Sequence, residues 1–314
     1  MAAQAQDTVP LRVVQTIPLP NIKGRIDHLA VDLKGRRLFI AALGYDTVEV
    51  LDLRRGTRIH TIGGLHEPQG VIFIPEFNKI IVTNGQTGAV DIFDEDSFRR
   101  DVSVKLSEDA DNIRYDAIAK HIYVGYGSGA LSIIDATSGT RLGDITLQGH
   151  PESFQLEKGG PRIFVNVPTA NLIAVIDRDR RAVVARWPLK DGQANFPMAL
   201  DETNRRLFVA FRKPPRLIVY DTESGKVVAR LDSAGDSDDV FYDHGHKRIY
   251  MSCGEGFIDV FQQQDADHYS PLAKIPTASG ARTSLFVPEL DRLYLAVPRH
   301  VGQGAEVRVY EVQP

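Results

Sequence analysis

Ile80-Ile81-Val82-Thr83-Asn84, followed by Val90-Asp91-Ile92-Phe93-Asp94, is the stretch from which the fold can be read. The first segment is a short apolar run; the second alternates apolar and polar residues and closes on an aspartate. Both have the length and pattern of β-strands. The apolar run recurs as Leu38-Phe39-Ile40, Ile122-Tyr123-Val124, Ile163-Phe164-Val165, Leu207-Phe208-Val209, Ile249-Tyr250-Met251 and Leu293-Tyr294-Leu295. Successive centres lie 42, 42, 41, 44, 42 and 44 residues apart. A repeat of that length is one supersecondary unit that buries its faces only against its neighbours.

The intervals between these runs contain the rest of each unit. Turns such as Asp32-Leu33-Lys34-Gly35-Arg36 and Asp201-Glu202-Thr203-Asn204-Arg205 precede the apolar strand. Gly35 and Asn204 are expected there at the positive φ of a tight hairpin. A third strand follows, as in Val48–Asp52, Leu131–Asp135, Ile173–Asp177 and Leu217–Asp221. In Asp52-Leu53-Arg54-Arg55-Gly56, Asp135-Ala136-Thr137-Ser138-Gly139 and Asp221-Thr222-Glu223-Ser224-Gly225, the aspartate accepts turn hydrogen bonds and the glycine supplies the left-handed residue. A more polar fourth strand, for example Lys226–Leu231, completes the unit as its outer edge. Four strands per repeat and no helical pattern beyond a turn predict an all-β chain, a single seven-bladed β-propeller over residues 11–314. The seventh repeat ends at Pro314 after its third strand, so Leu11–Ile17 is expected to supply the missing fourth and close the ring.

Ile81-Val82-Thr83-Asn84, with its kin Tyr123-Val124-Gly125 and Phe164-Val165-Asn166, resembles the core of the YVTN repeats of bacterial YncE-like and surface-layer propellers. The resemblance covers residues 11–314. It implies a seven-bladed, usually exported propeller and carries over no catalytic residue.

Net charge is −4, and lysines and arginines are scattered rather than gathered in a stripe, which argues against a nucleic-acid partner. No apolar run approaches the roughly 18 residues needed for a transmembrane segment. The lone Cys253 can form no intrachain disulfide, and no C-x-x-C pattern is present for haem or zinc. Residues 1–10 are expected to be a tail. Met1-Ala2-Ala3-Gln4-Ala5-Gln6-Asp7 reads as the small-residue end of a cleaved secretory signal, for a periplasmic or secreted protein, or else as a cytosolic extension. A monomer is expected, with a small-molecule ligand or substrate and with a protein partner as the alternative.

In a propeller, the loops entering the innermost strands and those joining the second and third strands surround one mouth of the central channel. Aligning the repeats brings Asp27, Gln69, Asp111, Glu152, Phe196, Asp238 and Arg282 into one ring, with His28, Gly70, Asn112, Ser153, Pro197, Asp239 and Thr283 one register on. Converging carboxylates repel unless a cation, raised pKa values or a partner such as Arg282 relieves them. Asp27, Asp111, Asn112, Glu152 and Asp238 are therefore candidate ligands for a divalent cation such as Ca²⁺ or Mg²⁺. His28, His66 and His150 would favour a transition metal instead. A channel of solvated carboxylates without a specific ion is the alternative. Tyr45, Asn84, Tyr126, Asn166, Arg212, Cys253, Arg299 and His300 lie on the second-to-third-strand loops as rim or substrate contacts, with Gly302-Gln303-Gly304 as a lid. His244-Gly245-His246 falls in a turn on the opposite face, and Gly125–Gly129 lacks the helix a dinucleotide site needs.

Two functions fit these groups. One is a metal-dependent hydrolase or lyase acting on a lactone, ester or phosphoester, with His28, His66 or His150 as base and Arg282 stabilising developing negative charge. The other is a non-catalytic ligand-binding or protein-interaction scaffold.

Overall fold

The computed structural model describes residues 9–314; the proposed signal remnant at residues 1–7 lies outside them. Seven antiparallel four-stranded sheets follow one another around a central channel. Within each of the first six, the strands are ordered as they occur in the chain. The first blade is Leu29–Asp32, Arg37–Ala42, Thr47–Asp52 and Thr57–Ile62. The seventh contains Ser284–Val287, Arg292–Val297 and Ala305–Val312, and its outer strand is Leu11–Leu19 from the other end of the chain. That strand runs antiparallel to Ala305–Val312, from Leu11 opposite Val312 to Leu19 opposite Ala305, with one irregularity between Val13 and Gln15. Leu11, Ile17 and Leu19 are buried by the closure, each stabilising the ring by roughly 1.5–3 kcal/mol.

Why the second strand carries the strongest sequence signal follows from its burial. Leu38 through Ala42 have no exposed surface, whereas Thr57–Ile62 at the blade's outer edge is largely exposed. Radial stacking covers both faces of the inner strands, so they are apolar at successive positions, whereas the outer strand Thr57–Ile62 buries only Ile62. The apolar clusters accordingly lie between blades: Phe39 and Val50 of the first pack with Val71 and Val82 of the second.

The turns are built partly as expected. Gly56, Gly139 and Gly225 take positive φ, and Asp52, Asp135 and Asp221 accept the N–H groups two and three residues on. The first hairpins differ from expectation. Arg36 (φ 58°) and Arg205 (φ 55°) occupy the left-handed region, one residue after Gly35 and Asn204. Gly35 is required for space: a Cβ there would stand 2.0 Å from the Asp32 carboxylate, which accepts the Gly35 N–H at 2.9 Å. Asn204 donates its own side chain to Asp201. His244 and His246 sit in the equivalent turn of the sixth blade, where His246 Nδ1 is 2.9 Å from Asp243.

Candidate functional site at the channel mouth

The ring expected at the mouth is held by repeated backbone geometry. Asp27, Asp111 and Glu152 donate their N–H groups to Ala41, Gly125 and Asn166 of the adjacent strand, and the carbonyls of His28, Asn112 and Ser153 accept the return bonds. Thr83 ties two blades together at this level: its Oγ1 donates to the Asp111 carbonyl at 2.6 Å and accepts the Gly70 N–H at 2.7 Å. Gly70 has no room for a side chain, since a Cβ would come within 2.5 Å of that same carbonyl. Asp111 is thus placed by the blade before its own.

Asp238 lies among arginines. Arg212 Nη2 donates to its Oδ1 at 2.6 Å, Arg282 Nε lies 2.9 Å from its Oδ2, and Arg25 Nη2 is 3.6 Å away. Arg282 also grips Asp236 at 2.8 Å. Arg212 is fixed from its other face by Phe196, whose ring centroid is 3.9 Å from the guanidinium carbon. Burial pushes the Asp238 carboxyl upward against the pull of Arg212, Arg282 and Arg25.

Asp27 is fully enclosed beside Arg25 Nη2 (2.9 Å) and His28 Nε2 (3.7 Å), yet neither carboxylate oxygen accepts an aligned hydrogen bond. Burial outweighs both cations and pushes it up to about 7. His28 faces burial too, but Asp239, 3.5 Å from Nδ1, and Asp27 prevail and push the imidazole up to about 10.

Opposite the arginines, Asp111, His150 and Glu152 bring one donor atom each within 4.8 Å of one another. His150 Nδ1 is 2.7 Å from the Gly127 carbonyl. A proton on Nδ1 satisfies that contact and leaves Nε2, 3.8 Å from Asp111, as a lone-pair donor. Burial, followed by Asp111, pushes Glu152 up to about 8 against the attraction of His150. Burial opposes charge on His150, but Asp111, the Gly127 carbonyl and Asp109 outweigh it and push it up to about 9. Asn112 Oδ1, beside Asp111 in the chain, is a buried acceptor without a hydrogen-bond donor among the described residues. One imidazole and two carboxylates, with a spare amide oxygen, suit a divalent ion that keeps open positions.

The other sequence candidates lie elsewhere or are engaged. His66 is exposed. Asn84 accepts the His66 N–H and donates to Ala89 and Asp91. Asn166 donates to the Phe196 carbonyl and accepts from Asn195. Tyr126 is buried between Arg141 and Asp144. Tyr45 is exposed on the turn Leu43–Tyr45. His300 and the Gly302–Gly304 loop border a separate cavity of about 340 Å³ with Lys23. Cys253 is buried, and burial drives its thiol pKa far up.

Arg25, Asp109, Asp236 and Arg114 were not singled out by the sequence reading. The first three precede ring residues by two positions, as His150 precedes Glu152. That shared offset of two residues from the aligned ring is the signal that identifies them.

Comparison with solved structures bears on the fold. No family model matches the sequence, and no curated protein does. A solved chain titled Kuenenia stuttgartiensis hydrazine synthase superposes with a TM-score of 0.77 at 16% identity, over 92% of this chain and 97% of its own. A chain from a structure titled mitotic checkpoint complex gives 0.81 at 14% identity, over 100% of this chain and 97% of its own. Propellers with such different titles share the architecture, and at these identities nothing more is transferred. Among the described residues, no helix is long and apolar enough to cross a membrane.

Proposed function

We propose that the channel mouth is a divalent-metal centre held by Asp111, His150 and Glu152, and that it serves metal-dependent hydrolysis or elimination on a small polar substrate. The observation that carries this reading is the convergence of three donors with His150 Nδ1 satisfied by a backbone carbonyl, so that Nε2 can ligate once an incoming ion displaces its proton. The mixed nitrogen and oxygen set favours Mn²⁺ or Zn²⁺ over Ca²⁺. A bound ion of this kind polarises a carbonyl or phosphoryl oxygen and lowers the pKa of a coordinated water.

The residues around it divide the remaining tasks. Arg25 and Arg212 act electrostatically on Glu152 and are the groups to stabilise an oxyanion near it. Arg282, held by Asp236 and Asp238, positions that arginine cluster. His28, with its pKa raised to about 10, enters as a proton donor rather than a base at neutral pH. The same reading keeps the chain among YVTN-repeat propellers, which are usually exported, supported by Ile81–Asn84.

Metal analysis of the purified protein, followed by turnover of a panel of lactones, esters and phosphoesters, tests the proposal. One metal should co-purify or bind with a one-to-one stoichiometry, and activity should vanish on chelation and return with that metal. Failure of the parent to bind any divalent ion defeats the metal centre. Stoichiometric binding without turnover in any substrate class would instead leave a non-catalytic ligand-binding propeller.

A further inference from the structure

Below the mouth, the repeats define a second ring. Ala30, Ile72, Gln155, Ala199, Phe241 and Leu285 each stand opposite the central residue of the apolar second-strand motif, and in the third blade that place is taken by Arg114, opposite Tyr123. All but Ala199 line a cavity of about 420 Å³ within the channel. Arg114 is the one charged member of the ring.

Its guanidinium is only partly satisfied. Nη1 donates to the Ile113 carbonyl at 2.8 Å, Nη2 reaches Ser153 Oγ at 3.4 Å, and the group lies 5.5 Å from the Phe154 ring. A guanidinium presents five N–H donors in a planar fork. Arg25, Arg212 and Arg282 at the mouth each contact a carboxylate within 3 Å. Among the described residues, no carboxylate pairs with Arg114; burial lowers its pKa, and the acids that offset this, Asp239 and Asp111, act at longer range. On another part of the cavity wall, Asp239 is already engaged by His28 at 3.5 Å and by the Ser284 N–H at 2.8 Å.

We propose that the channel binds a small monocarboxylic acid, its carboxylate on the Arg114 fork and its apolar body against Ile72, Phe73, Phe241 and Leu285. A planar carboxylate matches the guanidinium in a bidentate pair, and a mostly apolar pocket with one oriented polar group selects an amphiphilic ligand. A phosphate dianion fits less well, because Asp239 and Asp111 repel a second negative charge. Arg114 is not a metal donor, so this site stands or falls apart from the metal centre.

Calorimetric titration of metal-stripped protein with benzoate, hexanoate and, as the uncharged isostere, benzamide tests the proposal. Both acids should bind, with benzamide at least about tenfold weaker than benzoate. Arg114→Gln should weaken benzoate about ten- to a hundredfold while leaving benzamide unchanged. Arg114→Lys should fall between, keeping the charge without the fork. Leu285→Trp, which fills the cavity, should abolish binding of the acids and the amide while leaving metal uptake at the mouth intact. Absence of binding by either acid, equal affinity for benzoate and benzamide, tighter binding of inorganic phosphate, or acid binding undiminished in Arg114→Gln or Leu285→Trp would each overturn it. If Arg114→Gln does not fold, the acid-against-amide comparison in the parent and the Leu285→Trp result decide the matter.

Discussion

On one side of the channel mouth, three guanidinium groups converge on a single carboxylate, Asp238, with Asp236 behind them. On the other side, Asp111 and Glu152 share their space with His150, and among the described residues no guanidinium comes within salt-bridge distance of either. Asp111, Glu152 and Asp238 occupy equivalent places in their repeats. What separates them is the charge supplied by neighbouring blades. A carboxylate already surrounded by arginines is a structural counter-ion, whereas one held near another carboxylate gains from an incoming cation.

The sharpest way to break this comparison is to neutralise each side in turn. Asp238→Asn leaves Arg25, Arg212 and Arg282 facing one another and should destabilise the fold by about 3 kcal/mol, read by chemical denaturation. The penalty arises from the arginines, which stay charged whatever the protonation of Asp238. An unchanged unfolding midpoint would show that Asp27 and Asp236 suffice to compensate them.

The opposite side should respond to metal. Mn²⁺ or Zn²⁺ supplied at about 100 times its dissociation constant should stabilise the parent by about 2.7 kcal/mol. His150→Ala should lose most of that gain, and Asp238→Asn should retain it. Because His150 and Glu152 are pushed up to about 9 and about 8, binding must release protons, so affinity should rise with pH through neutrality. Equal metal-induced stabilisation of parent and His150→Ala would remove the distinction between the two sides.

A smaller effect is expected in the metal-free protein. A raised carboxyl pKa makes a contribution that is fully present below the ordinary value of 4.5 and lost as pH rises through about 8. Glu152→Gln should therefore match the parent in acid and become the more stable protein above pH 8, by on the order of 1 kcal/mol after screening by channel water. A difference that shrinks with rising pH would reverse the assignment. His66→Ala, exposed and outside both clusters, should change stability by less than about 0.5 kcal/mol and leave metal affinity unaltered. Loss of metal in that variant would extend the site beyond the triad.

The legible part of this site was its register. Asp27, Asp111, Glu152, Asp238 and Arg282 could be aligned because each precedes an apolar strand by a constant interval. Their partners were harder to see. His150 was legible as a loop histidine, whereas Arg25 and Asp236 emerge only from sharing its offset, two residues upstream of the aligned ring. That Arg212 turns toward Asp238, and that Asn84 and Asn166 turn away to hold backbone groups, depends on side-chain directions in the loops of adjacent blades.

The amino-acid sequence by itself determined the seven blades, their four-stranded construction and the closure by Leu11–Leu19, because apolar burial and turn chemistry act over a few residues and repeat with the chain. Only the tertiary structure decided which acid meets which cation. Arg25 and Asp238, Arg212 and Asp238, and Asp111 and His150 come from different blades, and electrostatic compensation depends on distance in space and strengthens with burial, whatever the separation along the chain. The unpaired Arg114 became visible for the same reason, since a guanidinium is unsatisfied only with respect to everything the folded ring brings near it.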